Sequence, residues 1–151
     1  MTLYEKILAD FKDAFKSGDA IKRGTLAMLK SAIQNKAIEK GTKDVPPADG
    51  EVMEVISSEV KKRRDSVTQF RAAERHELAD KEEQELASLM VYLPAQLTEE
   101  ELSPLVAEAV LKLGATSEKD MGKVLGLLSK ELKGRADMAL VAQIVKKKLL
   151  G

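Results

Sequence analysis

The sequence predicts an all-α protein built as two helical bundles, an N-terminal four-helix lobe and a C-terminal three-helix lobe. Three observations carry that expectation. Apolar residues recur at three- and four-residue spacing along nearly the whole chain, the pattern of helices with one buried face. Capping residues and glycines interrupt the pattern at intervals of one helix length, as helix starts and stops require. Between Glu51 and Leu93 there is neither Gly nor Pro, so helix propensity runs unbroken through the middle of the chain.

The elements follow in order. Thr2 and Glu5 form a capping box ahead of Leu3, Ile7, Phe11 and Phe15, which share a face of the first helix, and Gly18 ends it. Asp19 caps a second helix with Leu26, Leu29, Ile33 and Ala37 on its apolar stripe, stopping near Gly41. Residues Gly41 to Gly50 combine two Pro, two Gly and two Asp and read as a loop. A long third helix places Val52, Ile56, Val60, Val67 and Phe70 on one face, and a fourth from about Glu77 to Tyr92 uses Leu86, Leu89 and Leu93. Pro94 cannot continue a helix, and Thr98 with Glu101 forms a second capping box, so the segment Leu93 to Thr98 is the boundary. The lobes are expected over residues 1–94 and 95–151.

Beyond the boundary a fifth helix carries Leu102, Leu105, Val106, Ala109 and Leu113 and stops at Gly114. Pro104 leaves its start open, since Ser103 is also a suitable N-cap. The sixth begins near Ser117 with Met121, Val124, Leu125, Leu128 and Leu132, and the seventh starts at Asp137 with Met138, Val141, Val145 and Leu149.

Composition narrows the chemistry. Of 151 residues 44% are apolar, enough for a core. Only Tyr4, Phe11, Phe15, Phe70 and Tyr92 are aromatic, so that core is aliphatic. The absence of cysteine excludes disulfides, thiolate metal sites and a Cys nucleophile. The first sixteen residues hold no apolar run and no stretch approaches membrane-spanning length, from which a soluble, cytoplasmic protein without membrane contact is expected. His76 is the single histidine. His76-Glu-Leu-Ala-Asp80 lacks the second imidazole of a zinc-protease helix, so neither metal nor cofactor is expected, and His76 is read as a surface or helix-start residue. No phosphate-binding glycine loop of the nucleotide-binding types is present.

Lys+Arg and Asp+Glu both number 25, which by itself argues against a general polyanion binder. The balance is local, however. Lys61 to Arg75 holds six bases and two acids, His76 to Glu85 one base and five acids, and Leu111 to the end nine bases and four acids. The cluster Lys61 to Arg64 spans little more than one turn, so some stems lie along the apolar seam; it reads either as an exposed, ion-paired face, Glu59 with Arg63 at i, i+4, or as a nucleic-acid contact. Acidic groups at Glu82, Glu83, Glu85 and Glu99 to Glu101 read as helix starts and exposed faces.

Two positions resist so plain a reading. Gly122 and Gly126 stand four apart on one face of the sixth helix, each costing about 1 kcal/mol relative to Ala. Either another helix packs closely on them or a ligand backbone approaches, with Lys123 beside it. Gly134 and Asp137 mark a helix stop and a new start, presenting Arg135 on a short corner; with Lys123, Lys130 and Lys133 this makes a compact basic site. Lys146 to Lys148 extend it or simply complete the last turn.

In the N-terminal half, Lys62-Arg-Arg-Asp-Ser66, Phe70, Ala73-Glu-Arg75 and Leu78 precede the acidic run and Tyr92-Leu-Pro-Ala-Gln-Leu97. Gly114-Ala-Thr-Ser117, Asp120-Met-Gly-Lys-Val124, Gly126 and Lys133-Gly-Arg-Ala-Asp137 complete a pattern that resembles the YqeY-like family over essentially the full chain. That family is similar in turn to the tail domain of the B subunit of the tRNA-dependent Asp/Glu amidotransferase. The resemblance implies two helical bundles and a noncatalytic grip on tRNA, carried by Gly122, Lys123, Gly126, Lys133, Gly134, Arg135, Ala136 and Asp137. The chain departs from the family in having Met138 where Gly often follows the Ala-Asp pair. Glutamine-dependent carbon–nitrogen ligase chemistry enters by kinship only, and the chain alone is not expected to catalyse. A protein partner seated on the same glycine face is the alternative to tRNA.

Overall fold

The computed structural model describes residues 1–150. Its elements are α1 (Leu3–Ser17), α2 (Ala20–Lys40), α3 (Asp49–Ala72), α4 (His76–Met90), α5 (Glu99–Leu113), a 3-10 turn (Glu118–Asp120), α6 (Met121–Glu131) and α7 (Met138–Leu150). Among the described residues there is no strand, in keeping with the all-α expectation. Contacts divide the chain into two compact units, Met1–Leu93 and Pro94 onward.

Local chemistry explains the boundaries. The Thr2 hydroxyl accepts from the Glu5 N–H at 3.1 Å while the Glu5 carboxylate accepts from the Thr2 N–H at 3.0 Å, starting α1. Asp19 accepts from the Lys22 N–H at 3.0 Å to start α2. Gly18, Gly41 and Gly114 end α1, α2 and α5. The third helix begins earlier than its sequence suggests: Asp49 and Gly50 already lie within α3. Asp49 also accepts from the Leu3 N–H at 2.9 Å, so its carboxylate serves the start of α1, a role sequence spacing does not reveal. Thr98 settles the start of α5 at Glu99, which leaves Pro104 inside the helix at the cost of one backbone bond.

In the first unit the core is Ile7, Leu26, Leu29, Ile33, Val52, Ile56, Val60, Leu89 and Tyr92. Phe15, expected on the buried face of α1, is 63% exposed, with the Arg23 guanidinium 5.4 Å from its ring centre. Ala14 is buried instead. Seven residues from Ile7 return a helix to within about 20° of the same face, whereas eight carry it about 80° past.

The basic cluster of α3 also departs from expectation. Arg63 is not on an exposed face but buried, its guanidinium donating to Glu82, at 3.2 Å, and to Glu85 of α4. Glu59 pairs with Lys62 at 3.4 Å rather than with Arg63. Arg71 binds Asp80 at 2.6 Å and Glu83 at 3.2 Å. The acidic run of α4 thus stitches this helix to α3. The turn between them is closed by Arg75 N–H to the Phe70 carbonyl, 2.8 Å, and carries Glu74 at φ 58°.

The second unit encloses Leu102, Val106, Ala109, Val124, Leu128, Leu132, Val141, Ile144 and Val145. Leu113, predicted on this stripe, is the last residue of α5 and is exposed.

Candidate nucleic-acid interface

The expected site residues lie on α6 and on the corner that joins it to α7. Val124 and Leu128, fully buried, fix the inward face of α6. At about 100° per residue, Gly122, Gly126, Lys130 and Lys123 then fall within one arc of about 100° on the opposite side, and all four are exposed. A Cβ added at either glycine would meet nothing within 4 Å beyond its own neighbourhood in the helix. Close packing of a second helix from the same unit is therefore not what the glycines serve, because α5 and α7 share the core on the other side of α6. The result is a flat strip of helix backbone flanked by two lysines.

The start of α6 is held by Asp120. Its carboxylate accepts the Thr116 N–H at 3.0 Å and the Ser117 N–H at 3.3 Å, and those two bonds hold its pKa below the ordinary carboxylate value. Lys123 adds a smaller push in the same direction.

Beyond Leu132 the chain turns sharply. Gly134 has φ 75°, a left-handed conformation that a residue with a Cβ adopts only at a cost of about 1 kcal/mol or more. The Arg135 N–H donates to the Leu132 carbonyl at 2.9 Å, and the Asp137 carboxylate accepts the Ala139 N–H at 3.0 Å, capping α7. Lys133 and Arg135 are exposed, Asp137 and Gly134 half-buried, and Ala136 packs against the core. Lys146 to Lys148 are exposed on the last turns of α7. The sequence-predicted residues are thus brought onto one helix face and the corner that follows it.

Sequence reading missed Gln96 and Leu97. The Gln96 side-chain amide donates to the Gly134 carbonyl at 2.8 Å and to the Pro94 carbonyl at 3.0 Å, and the Leu97 N–H donates to the Arg135 carbonyl at 2.8 Å. The signal was a polar Gln set between apolar residues in a stretch taken as a boundary.

Electrostatically the two basic regions differ. Arg63, Lys62 and Arg71 are paired with carboxylates, whereas Lys123, Lys130 and Arg135 have no ion pair among the described residues. On the second unit, the positive charge of α6 and of the corner is thus not neutralised by an ion pair at Lys123, Lys130 or Arg135 among the described residues. His76 opens α4, its ring nitrogen 3.1 Å from Arg71. Among the described residues, no group of three or more His, Asp or Glu side chains is placed to hold a metal ion. No helix among them is long and apolar enough to cross a membrane.

A family model described as Yqey-like protein matches residues 4–149. An uncharacterized protein of Schizosaccharomyces pombe is 36% identical over 84 residues, 54% of this chain and 64% of the relative. Three relatives bear the name altered inheritance of mitochondria protein 41, mitochondrial, among them those of Vanderwaltozyma polyspora and Pyrenophora tritici-repentis. That of Vanderwaltozyma polyspora is 33% identical over 56% of this chain and 44% of its own length. That of Pyrenophora tritici-repentis is 28% identical over 87% and 71% respectively. The matches thus span about half to two thirds of the length of the first two relatives. These names overturn the expectation of a cytoplasmic protein, since they point to mitochondria. The physical reason is that hydropathy patterning does not encode a compartment, since mitochondrial leaders are amphipathic rather than apolar and a helical bundle folds in any aqueous compartment.

Proposed function

The chain belongs to the YqeY-like family, and from that premise we propose that it is a noncatalytic RNA-binding module, with tRNA as the RNA. The contact surface in this reading is the exposed face of α6, with Gly122, Lys123, Gly126 and Lys130, continued by Lys133, Gly134, Arg135 and Asp137 at the corner. One observation carries the reading: the two glycines of α6 face solvent with open space where their Cβ atoms would be. A helix that gives up about 1 kcal/mol at its centre without any packing return leaves its backbone accessible to something outside the unit. The flanking cations carry no ion pair among the described residues, so they remain available to phosphates, and the glycines admit a sugar-phosphate backbone to the helix surface. The similarity to the tail of the tRNA-dependent amidotransferase supplies tRNA as the RNA to test first.

The experiment is a titration of tRNA at several salt concentrations. Four or five phosphate contacts give a log–log slope of about −4. Arg135→Glu combined with Lys123→Glu should remove both most of the affinity and about half of that slope. Absence of binding at low salt, or binding indifferent to these substitutions, sinks the reading. A protein partner that stays bound to the glycine face after nuclease treatment would replace RNA as the occupant.

A further inference from the structure

The corner at Lys133–Asp137 is held partly by its own bonds, Arg135 N–H to the Leu132 carbonyl and the Asp137 cap, and partly from outside. Between the end of α6 at Glu131 and the start of α7 at Met138, the carbonyls of Gly134 and Arg135 accept hydrogen bonds from the Gln96 side chain and the Leu97 N–H. Backbone carbonyls that lack such donors turn to water, and a left-handed turn of this length then samples several conformations. The donor segment is itself anchored: Leu97 packs against the core of the second unit, and Thr98, next in line, caps α5 by accepting the Glu101 N–H at 3.2 Å. Pro94 lies across the turn, its Cδ 3.9 Å from where a Cβ on Gly134 would stand. The Gln96 amide bridges two carbonyls, one on each side of the contact, so its position is set from both sides.

We infer that Gln96 is a positioning residue for the proposed interface: with the Leu97 N–H it sets the conformation in which the corner presents Arg135. This rests on the reading of the α6 face and corner as an RNA-binding surface and adds to it a residue that reaches the ligand only through another. Part of what the sequence offers as a boundary segment thereby belongs to the binding site.

Two measurements on the full chain test it. The first needs no RNA: in Gln96→Ala, and in Gln96→Glu, which keeps the length but presents a carboxylate to the Gly134 carbonyl, amide exchange at Leu97 and Arg135 should speed up at least about tenfold. The Val124 and Leu128 amides of α6 should exchange as before. Unchanged exchange at Leu97 and Arg135 in both variants overturns the inference; so does equal acceleration at Val124 and Leu128, which would mean that Gln96 merely supports the whole unit. The second is a double-mutant cycle on tRNA binding. Gln96→Ala should weaken binding about fivefold to tenfold in the native background and have little further effect once Arg135→Ala is present. An equal loss in both backgrounds overturns the inference. If the native protein fails to bind tRNA at all, the RNA reading fails, and the exchange measurement still decides whether Gln96 sets the corner.

Discussion

Replacing Gly126 by Ala should make the protein more stable and a poorer RNA binder. Gly126 is the central residue of the eleven that form α6, so a Cβ there gains the full propensity difference, about 1 kcal/mol. Its exposure and the empty space around its Cβ direction mean that no clash subtracts from this gain. Gly122, second in the helix, should gain less, about 0.5 kcal/mol. In urea unfolding followed by circular dichroism, Gly126→Ala should raise the midpoint by about 0.3–1 M with an unchanged slope. If the chain melts as one unit the Tm should rise about 2–4 °C, and if the second unit melts alone about 4–8 °C. Affinity for tRNA, measured on the same sample, should fall about tenfold or more, because in the proposed RNA-binding mode the added methyl stands where the ligand backbone lies. Gly126→Leu should extend the loss while leaving the fold intact. A destabilising Gly126→Ala would show that the face is already occupied within the protein. A stabilising substitution with undiminished tRNA binding would show that the glycine strip is not a contact surface. Either result refutes the reasoning.

Glu74 holds a left-handed conformation between α3 and α4, so Glu74→Gly should stabilise by about 0.5–1 kcal/mol, read as an upward shift in the urea midpoint. Arg63→Ala should cost about 3–5 kcal/mol by leaving Glu82 and Glu85 without their cation, whereas Arg63→Met with both glutamates changed to Gln should recover most of the loss; an Arg63→Ala cost below about 1 kcal/mol would contradict the buried pairing. Burial, and then the 2.6 Å hydrogen bond to Asp10, raise the Tyr92 phenol above its ordinary value, so the folded state keeps this proton after the unfolded state has released it. The contribution is complete below about pH 10 and declines as pH rises through the folded value, so alkaline unfolding profiles should be shallower above pH 10 in Tyr92→Phe than in the native protein. Gly134→Ala should act opposite to Gly126→Ala, lowering stability by about 1 kcal/mol, since only Gly134 has a positive φ, while the Pro94 Cδ at 3.9 Å from its Cβ direction is an ordinary contact.

The helices and their caps were legible in the sequence because their causes are local. Periodicity selects the inward residues Ile7, Leu26, Ile56 and Val124, and Thr2, Asp19 and Thr98 bond to N–H groups three residues away. The same locality puts Gly122 and Gly126 on one face of α6 with Lys123 beside them; that Lys130 shares this face follows from the burial of Val124 and Leu128. Errors arose where a partner is distant in sequence. Arg63 looked like one member of an exposed cluster because its carboxylates stand 19 and 22 residues on, and only the pairing of α3 with α4 makes them neighbours. Whether the glycines of α6 pack or stand open was undecided for the same reason: the spacing states which face they share, and only the placement of α5 and α7 states which face is covered. Gln96 looked like part of a boundary because its acceptor on Gly134 is 38 residues away. Sequence alone determined the number and order of the helices, most of their caps and the central residues of each inward face, all governed by interactions within about one helical turn. Tertiary structure decided which charges are neutralised and which backbone is left open, because burial and Coulomb interaction depend on distances through space that no short-range pattern encodes.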